Sequence, residues 1–155
     1  MRLALKDHIT KKLMVISGNS TVAEGLQMMR NNWIRHLPVI DENNEFVIGI
    51  VSERDLLAST NTHTKISSIM STPIRIFDVG TGLDSVVHAM IEEKVSAYLI
   101  TDNDEVIGIV TTEDMLVLLE NFLSEKESAK PRTLLDFLMS PVVQKTVRMV
   151  SDAGI

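Results

Sequence analysis

Two stretches of the chain share one order of apolar and polar positions. The first covers residues 47–57, VIGIVSERDLL, and the second covers residues 106–116, VIGIVTTEDML. In each, an apolar, largely β-branched run is followed by a hydroxyl residue, two variable residues, an aspartate and an apolar pair, which predicts a strand that leads directly into a helix. Gly49 and Gly108 interrupt the strand pattern, which indicates a bulge or the close approach of another backbone or a ligand.

The similarity extends upstream of both stretches. Ile9 matches Met70 near the start of each copy, and Asp55 matches Asp114 near its end. The stretch from Met70 to Asp114 is shorter by two positions than the stretch from Ile9 to Asp55, and the deletion falls in a hairpin turn, where a duplicated unit tolerates it. Self-similarity of this kind predicts two copies of one supersecondary unit.

Each unit is predicted to have the order β-α-β-β-α. The first has strands over 13–16, 37–40 and 46–51 and helices from Thr21 and Glu53; the second has strands over 74–77, 98–100 and 106–110 and helices from Thr81 and Thr112, the last reaching about Leu123. Residues 21–24 have the form of a capping box, and residues 81–84 are a weaker version of it. A three-stranded sheet cannot bury two helices alone, so the units are expected to pack about a pseudo-twofold axis.

The predicted organisation is an α+β fold with a helical extension. The first repeat covers residues 5–60, the second covers 64–122, and a C-terminal helical tail covers 124–155. Residues 134–139 and 142–150 predict two short helices in that tail, with Ser140-Pro141 as the cap and first turn of the second. The apolar stripe of this second helix could pack on the chain's own core or serve self-association, and the sequence leaves both open.

Composition narrows the range of partners. The net charge of −6 and the 4% aromatic content argue against a nucleic-acid duplex, an anionic membrane or a base-stacking platform. No apolar run is long enough to span a bilayer, and the N-terminus lacks the apolar stretch of a secretory signal. The chain has no cysteine, which fits a cytoplasmic protein.

Catalytic motifs are absent from the sequence. It contains no G-x-S-x-G elbow, no P-loop and no H-E-x-x-H motif. The four histidines lack the spacing of metal ligands. The sequence therefore predicts a protein that is not an enzyme and has no metal site.

The repeated motif has two interpretations. Ser52 and Asp55, like Thr111 and Asp114, have the spacing of a helix cap that needs no ligand. However, a helix N-terminus at the carboxyl end of a strand offers free N–H groups to a phosphate, and a nearby carboxylate can accept hydrogen bonds from the hydroxyls of a ribose. Phosphate and ribose together describe a nucleotide.

The two G-h-V-[ST]-x-x-D copies, with residues 35–41 (RHLPVID) before the first, resemble a tandem pair of cystathionine-beta-synthase (CBS) domains, the Bateman module. The resemblance covers about residues 5 to 120. It implies two pseudo-symmetric clefts that bind adenosine derivatives such as AMP, ADP, ATP or S-adenosylmethionine. No cofactor is required on this view, although Mg²⁺ could accompany a bound phosphate.

The resemblance also implies roles for individual residues. Asp55 and Asp114 would hold ribose, and the phosphate would lie near Ser52, Thr111, Arg54, Arg35 and His36. The adenine would be bordered by Met14, Val15, Ile16, Ile74, Arg75, Ile76, Ala97 and Tyr98.

The two clefts are expected to differ. Arg35, His36 and Arg54 correspond to Ser96, Ala97 and Glu113, so the cations are concentrated in the first unit.

The favoured function is a regulatory adenine-nucleotide sensor, expected to form a homodimer and to act on an unknown protein partner by a ligand-dependent conformational change. The alternative is a non-catalytic dimerisation or interaction scaffold whose clefts are vestigial.

Overall fold

The computed structural model describes residues 4–43 and 46–128 of the chain. The first repeat contains β1 (Ile16–Ser17), α1 (Val22–Asn32), β2 (His36–Ile40), β3 (Val47–Ser52) and α2 (Glu53–Ala58). The second contains β4 (Ile76–Asp78), α3 (Leu83–Glu93), β5 (Ala97–Asp102), β6 (Glu105–Thr111) and α4 (Thr112–Ser128). The predicted α+β fold of two β-α-β-β-α repeats is confirmed.

Each repeat has its own three-stranded sheet with the same topology. The orders are β1-β2-β3 and β4-β5-β6, and in each sheet the first pair is parallel and the second antiparallel. The register shifts by one residue next to Gly49 and again next to Gly108. A β-bulge therefore accompanies both strand glycines.

Two predicted strands begin later than the apolar pattern indicated. β1 starts at Ile16 rather than at Leu13, and β4 starts at Ile76 rather than at Ile74. Leu13 and Ile74 instead pack against the buried cluster of the second repeat, so their apolar character reflects burial and not strand pairing.

The two first helices begin differently. Thr21 caps α1 with a complete capping box, in which its backbone N–H donates to Glu24 Oε2 at 2.7 Å and its hydroxyl accepts from the Glu24 N–H at 3.3 Å. The predicted weaker box at residues 81–84 is wrong, because Gly82 is the N-cap of α3 and no side chain caps that helix. Since the N-cap is Gly82 rather than Thr81, Asp84 is the second residue of the helix and not the third, the position that a capping box requires.

The last described helix, α4, runs to Ser128, beyond the predicted end at Leu123. The chain divides into two compact units after Asp114, and both sheets belong to the first of these units. The helices predicted over residues 134–139 and 142–150 lie outside the described residues.

The segment that leads into each repeat pairs with the other repeat. Four isolated backbone bridges show this exchange: Ala4 with Gly82, Thr10 with Ile109, Lys65 with Thr21, and Ser71 with Ile50. When the two repeats are aligned, the bridge of Lys65 with Thr21 corresponds to that of Ala4 with Gly82, and the bridge of Ser71 with Ile50 corresponds to that of Thr10 with Ile109. The repeats are thus related by the predicted pseudo-twofold axis.

This exchange explains the two strand glycines. A Cβ on Gly49 would lie 2.6 Å from the sulfur of Met70 and 3.1 Å from the carbonyl oxygen of Ser71. A Cβ on Gly108 would lie 2.9 Å from the carbonyl oxygen of Thr10. The group that passes close to each strand glycine is therefore the backbone of the segment that leads into the other repeat.

The exchanged segment also contributes to the core. Ile66, in the lead-in of the second repeat, is fully buried together with residues of the first repeat such as Val22, Leu37 and Leu56. The repeats therefore share their apolar interior, which fixes the relative position of the loops that surround the site described below.

Candidate functional site

Both repeated motifs form helix caps. Asp55 Oδ2 accepts hydrogen bonds from the Ser52 N–H at 2.9 Å and from the Ser52 hydroxyl at 2.6 Å, and the Asp55 N–H donates to Ser52 Oγ at 3.2 Å. Asp114 Oδ2 accepts in the same way from the Thr111 N–H at 2.7 Å and its hydroxyl at 2.8 Å. The Oδ2 atom of each aspartate therefore belongs to a helix cap, as the first interpretation of the motif predicted, whereas Oδ1 takes no part in the cap.

A cavity of about 740 Å³ adjoins the first of these caps. It is lined by the motif of the first repeat, through Ser52, Arg54 and Asp55, and by two segments of the second repeat, residues 70–75 and 93–97. His36 and Ile50 complete the lining. The cavity is thus built jointly by the two repeats, because the lead-in of the second repeat crosses β3 next to Gly49.

The residues predicted to border adenine are not all brought together here. Ile74, Arg75 and Ala97 line this cavity, close to the first-repeat motif in space but far from it in sequence. Two others, Ile16 and Tyr98, are buried in the sheets. The remaining three also lie outside its lining: Met14 and Val15 are half-buried, and Ile76 is 52% exposed.

Tyr98 serves packing in the second sheet. Its ring lies against Phe77, with the centroids 4.8 Å apart and the planes inclined by 57°. Burial raises the pKa of the Tyr98 hydroxyl, which has no hydrogen-bond partner among the described residues. A buried phenol in this state remains neutral.

A second, smaller cavity of about 250 Å³ lies where the N-termini of α2 and α4 approach each other. Its lining consists of Arg35, His36, Ser52, Glu53, Arg54, Ser96, Thr112 and Glu113. Matching backbone hydrogen bonds position the two helix starts, from the Glu53 N–H to the Arg35 carbonyl at 2.9 Å and from the Thr112 N–H to the Ser96 carbonyl at 3.0 Å. Four residues, including His36 and Arg54, line both cavities.

The cations around the two cavities are not equally available. Arg35 forms an ion pair with Glu113, and Arg75 forms one with Glu93. Arg54 and Lys94 are exposed at the larger cavity and form no ion pair within the described part of the chain. A negatively charged ligand group would therefore meet Arg54 and Lys94 first.

His36 connects the two repeats. Its Nε2 shares a hydrogen bond of 2.8 Å with the hydroxyl of Ser96, and the ring is half-buried. Burial lowers the pKa of His36, and the guanidinium of Arg35 lowers it further. The imidazole is consequently neutral at pH 7, so it can offer a hydrogen bond but not a full charge.

Thr111 and Asp114, the motif of the second repeat, line neither of these two cavities. The larger of the two lies beside the motif of the first repeat. That the two clefts differ in ligand binding stays a prediction.

Two lining segments were missed by sequence reasoning. Residues 70–73 and 93–96 follow no chemical motif, and their position depends on the exchange of lead-in segments between the repeats. The only sequence signal for the first of them was the strand glycine, Gly49, which required some group to pass close by.

Neither a metal site nor a membrane span is found in the described part of the chain. There, no three side chains of the histidine, cysteine, aspartate and glutamate types lie where they could bind one metal ion. No helix in the same residues is both long enough and apolar enough to cross a bilayer.

Comparison with solved structures identifies similar folds. The CBS domain pair of protein MJ0100, in complex with 5′-methylthioadenosine and S-adenosyl-L-methionine, superposes with a TM-score of 0.71 at 25% identity, covering 78% of this chain and 98% of that one. The AcuB protein of Vibrio cholerae superposes with a TM-score of 0.70 at 26% identity, covering 84% of this chain and all of that one.

Comparison of sequences leads to the same family. An uncharacterized 33.4 kDa protein in a ribosomal RNA operon of Thermofilum pendens is 30% identical over 138 residues, which are 86% of this chain. This chain spans only 46% of that relative. The CBS domain model matches twice, over residues 5–60 and 66–121. The chain therefore belongs to the CBS domain family, and it contains two CBS domains in tandem.

Proposed function

We propose that this CBS pair is a regulatory module that binds an adenosine derivative in the larger cavity, the one beside Asp55. The observation that carries the proposal is that both repeats build one cavity of about 740 Å³ around the strand–helix motif of the first. This volume lies within the range of about 300–1,000 Å³ that is usual for small-molecule sites. The complex of the MJ0100 domain pair with two adenosine compounds supports the choice of ligand class.

Asp55 is the proposed ribose ligand. Its Oδ2 is used by the Ser52 cap, whereas its Oδ1 accepts no hydrogen bond from a described residue. A carboxylate oxygen at the cavity wall can accept hydrogen bonds from the vicinal ribose hydroxyls, and charged hydrogen bonds of this kind are among the stronger ones. The cap fixes the direction of the carboxylate before the ligand arrives.

The proposed adenine position lies on the second-repeat side. Ile74 and Ala97 supply apolar surface there, and Arg75 is held by its ion pair with Glu93. The 5′ substituent would then lie near Arg54 and Lys94. Because Arg35 is already paired with Glu113, this arrangement favours an adenosine derivative with a short anionic group or none over a nucleoside triphosphate.

Regulation follows from the position of the cavity between the repeats. A ligand that contacts Asp55 and Ile74 together stabilises the arrangement in which the two repeats are close, in proportion to its difference in affinity for the alternative states. The proposed output is contact with a protein partner, with a homodimer in the cytoplasm as the working form. No chemical step is assigned to the module.

The direct test is a binding panel of AMP, ADP, ATP, S-adenosylmethionine and 5′-methylthioadenosine, measured by calorimetry and thermal unfolding. Ligand at about 100 times its dissociation constant stabilises the fold by about 2.7 kcal/mol, which raises the melting temperature by about 5–10 °C for a chain of this size.

Two matched variants sharpen this test. Asp55→Ala and Asp114→Ala each remove the same helix cap, but only Asp55 lines the larger cavity. Asp55→Ala should weaken binding in that cavity about 10- to 150-fold, as expected for lost charged hydrogen bonds, and Asp114→Ala should leave that site intact. If no compound of the panel binds, the proposal is wrong and the chain is better described as an interaction scaffold.

A further inference from the structure

Helix α4 exposes an unusual amount of apolar surface. Leu116, Leu119 and Leu123 are 63%, 49% and 53% exposed, and half of the large apolar side chains exposed in the described part of the chain lie on this helix. Residues at i, i+3 and i+7 share one face of a helix, so the three leucines form a stripe about 10 Å long, here called the α4 stripe. Contiguous apolar surface of this kind indicates an interaction site.

Most of the α4 stripe lies in a part of the helix that the first repeat lacks. The corresponding helix, α2, ends at Ala58, which aligns with Val117, whereas α4 continues over residues 118–128. An isolated helical segment of this length is marginally stable in water. Leu119 and Leu123 remain about half exposed within it, so no described residue covers this part of the helix.

A segment of matching dimensions follows α4 in the sequence. Residues 142–150 are predicted above to be helical, and their apolar stripe covers seven positions, as the α4 stripe does. This tail stripe consists of Val143, Val147 and Val150. Residues 129–141 connect it to α4 and can span about 43 Å, whereas the α4 stripe begins about 18 Å before the end of the helix. The connection is therefore long enough for the tail stripe to lie along α4 in either direction.

Charge favours the tail over a second copy of α4. From Thr112 to Ser128, α4 has five acidic residues and one basic residue, whereas residues 129–155 have four basic and two acidic residues. Two copies of α4 would repel each other, and the tail brings the opposite net charge instead. The short connection also holds the tail at an effective concentration in the millimolar range, about a thousandfold above that of a second copy in a micromolar solution.

We propose that the α4 stripe is the docking surface of the chain's own tail, with the tail stripe packed along it. Docking removes the exposed leucines from water and places a second helix against the extension of α4. A protein partner that recognises this face must first displace the tail. The α4 stripe lines neither of the two cavities described above, so the inference goes beyond the proposed function and does not depend on it.

Disulfide formation in the full chain tests this contact directly. The chain contains no cysteine, so two introduced thiols report only on each other. Leu119 and Val147 lie at the middle of their stripes and meet whichever direction the tail takes. In Leu119→Cys/Val147→Cys, oxidised glutathione at low protein concentration should produce a disulfide within one chain, which mass spectrometry and non-reducing electrophoresis identify. Asn121 lies on the opposite face of α4, so Asn121→Cys/Val147→Cys is the matched control and should react much more slowly.

Limited proteolysis measures the same contact without cysteine. Trypsin cleaves after Lys145 and Arg148, within the docked segment, only when that segment is released, and cleavage after Arg132 serves as the internal reference. Leu119→Asp places a charge in the α4 stripe and should accelerate the first two cleavages by about threefold or more, which corresponds to burial of the remaining half of a leucine side chain. Leu57→Asp, which changes a similarly exposed leucine of α2, is the matched control and should leave the rates unchanged.

Each other outcome overturns the inference. Absence of a disulfide in both cysteine pairs, or an equal yield in both, would show that the tail does not select the α4 stripe. A disulfide that joins two chains, together with a dimer in sedimentation, would assign the face to a second copy. Cleavage after Lys145 and Arg148 that is already as fast as cleavage after Arg132 in the parent chain would show that the tail is not docked. Equal acceleration in Leu57→Asp would assign the effect to general destabilisation.

Discussion

Arg35 of the first repeat forms an ion pair with Glu113 of the second, at the point where α2 and α4 begin. When the two repeats are exchanged in the alignment, the corresponding residues are Ser96 and Arg54. Neither of them is acidic, so they cannot form the same ion pair. The pseudo-twofold axis is therefore chemically asymmetric, and one of the cations that a phosphate could use is already neutralised by the protein itself.

Release of Arg35 should change ligand preference. In Glu113→Gln, the uncharged side chain no longer competes for the guanidinium, so the affinity for ATP should increase by up to about tenfold, equivalent to about 1.4 kcal/mol. The affinity for 5′-methylthioadenosine, which has no phosphate, should not change. Calorimetry with both compounds measures the difference. The double variant Arg35→Gln/Glu113→Gln is the control, and an equal gain in that variant would show that Arg35 is not responsible.

Alanine at the strand glycines should destabilise the pair of repeats. Gly108→Ala places a Cβ 2.9 Å from the Thr10 carbonyl oxygen, a backbone atom, whereas the closest contact in Gly49→Ala is the flexible Met70 side chain. Both changes should lower the free energy of unfolding by about 1–3 kcal/mol, as overpacking usually does, with the larger loss for Gly108→Ala. Chemical denaturation followed by circular dichroism measures this.

Gly18→Ala provides a comparison for these two variants, because its Cβ would make ordinary contacts of 3.4–3.6 Å. If the free energy of unfolding fell equally in all three variants, the cause would be the loss of a glycine in general and not the close crossing of the lead-in segments.

His36 should make stability depend on pH. Its pKa in the folded chain is lowered by burial and by Arg35, whereas an unfolded histidine titrates near 6.5. Between these two values the unfolded state binds more protons, so the free energy of unfolding should fall as the pH is lowered through about 6.5 and level off below the folded pKa. Denaturation at a series of pH values should show this loss in the parent chain and a smaller one in His36→Asn.

The exposed linker histidine supplies the matched variant, His63→Asn. It should follow the parent chain. A loss at low pH that persists unchanged in His36→Asn would assign the effect to other groups.

Glycine at the two left-handed helix ends should stabilise the fold. Trp33→Gly and Lys94→Gly remove the steric cost of φ near 55°, offset in part by the greater freedom of glycine in the unfolded chain, which leaves a gain of up to about 1 kcal/mol. Trp33→Ala retains the strained backbone and should leave stability unchanged. Urea denaturation of the three variants is the measurement, and a marked loss in Trp33→Ala would show that the indole packs on the fold.

Local patterns determined much of this architecture. The apolar run that is followed by Ser52 and Asp55 in the first repeat predicted the strand-to-helix transition at the correct place, and so did the run before Thr111 and Asp114 in the second. This succeeded because a helix cap is formed by atoms within four consecutive residues. The capping box at Thr21 followed for the same reason. Where only apolar character was available, as at Leu13 and Ile74, burial and strand pairing could not be distinguished, and the strands began later than predicted.

The cavity could be foreseen only in part. Ser52, Arg54 and Asp55 were identified from the motif, and Ile74, Arg75 and Ala97 from the family resemblance, but nothing local indicated that Glu93 and Lys94 would join them. Their position depends on the crossing of one repeat by the lead-in of the other, a contact between residues far apart in the chain.

By itself, the sequence determined the duplicated unit, the helix caps at Thr21, Ser52 and Thr111, and the family to which the chain belongs. Each of these depends on residues that are neighbours in the chain or on a repeated order of residue types. The tertiary structure alone decided that Asp55 shares a cavity with Glu93 and Lys94, and that Arg35 is paired with Glu113. Contacts of this kind are fixed by how two apolar surfaces pack across the pseudo-twofold axis, and that packing minimises the exposed apolar area of the whole pair rather than of any one segment.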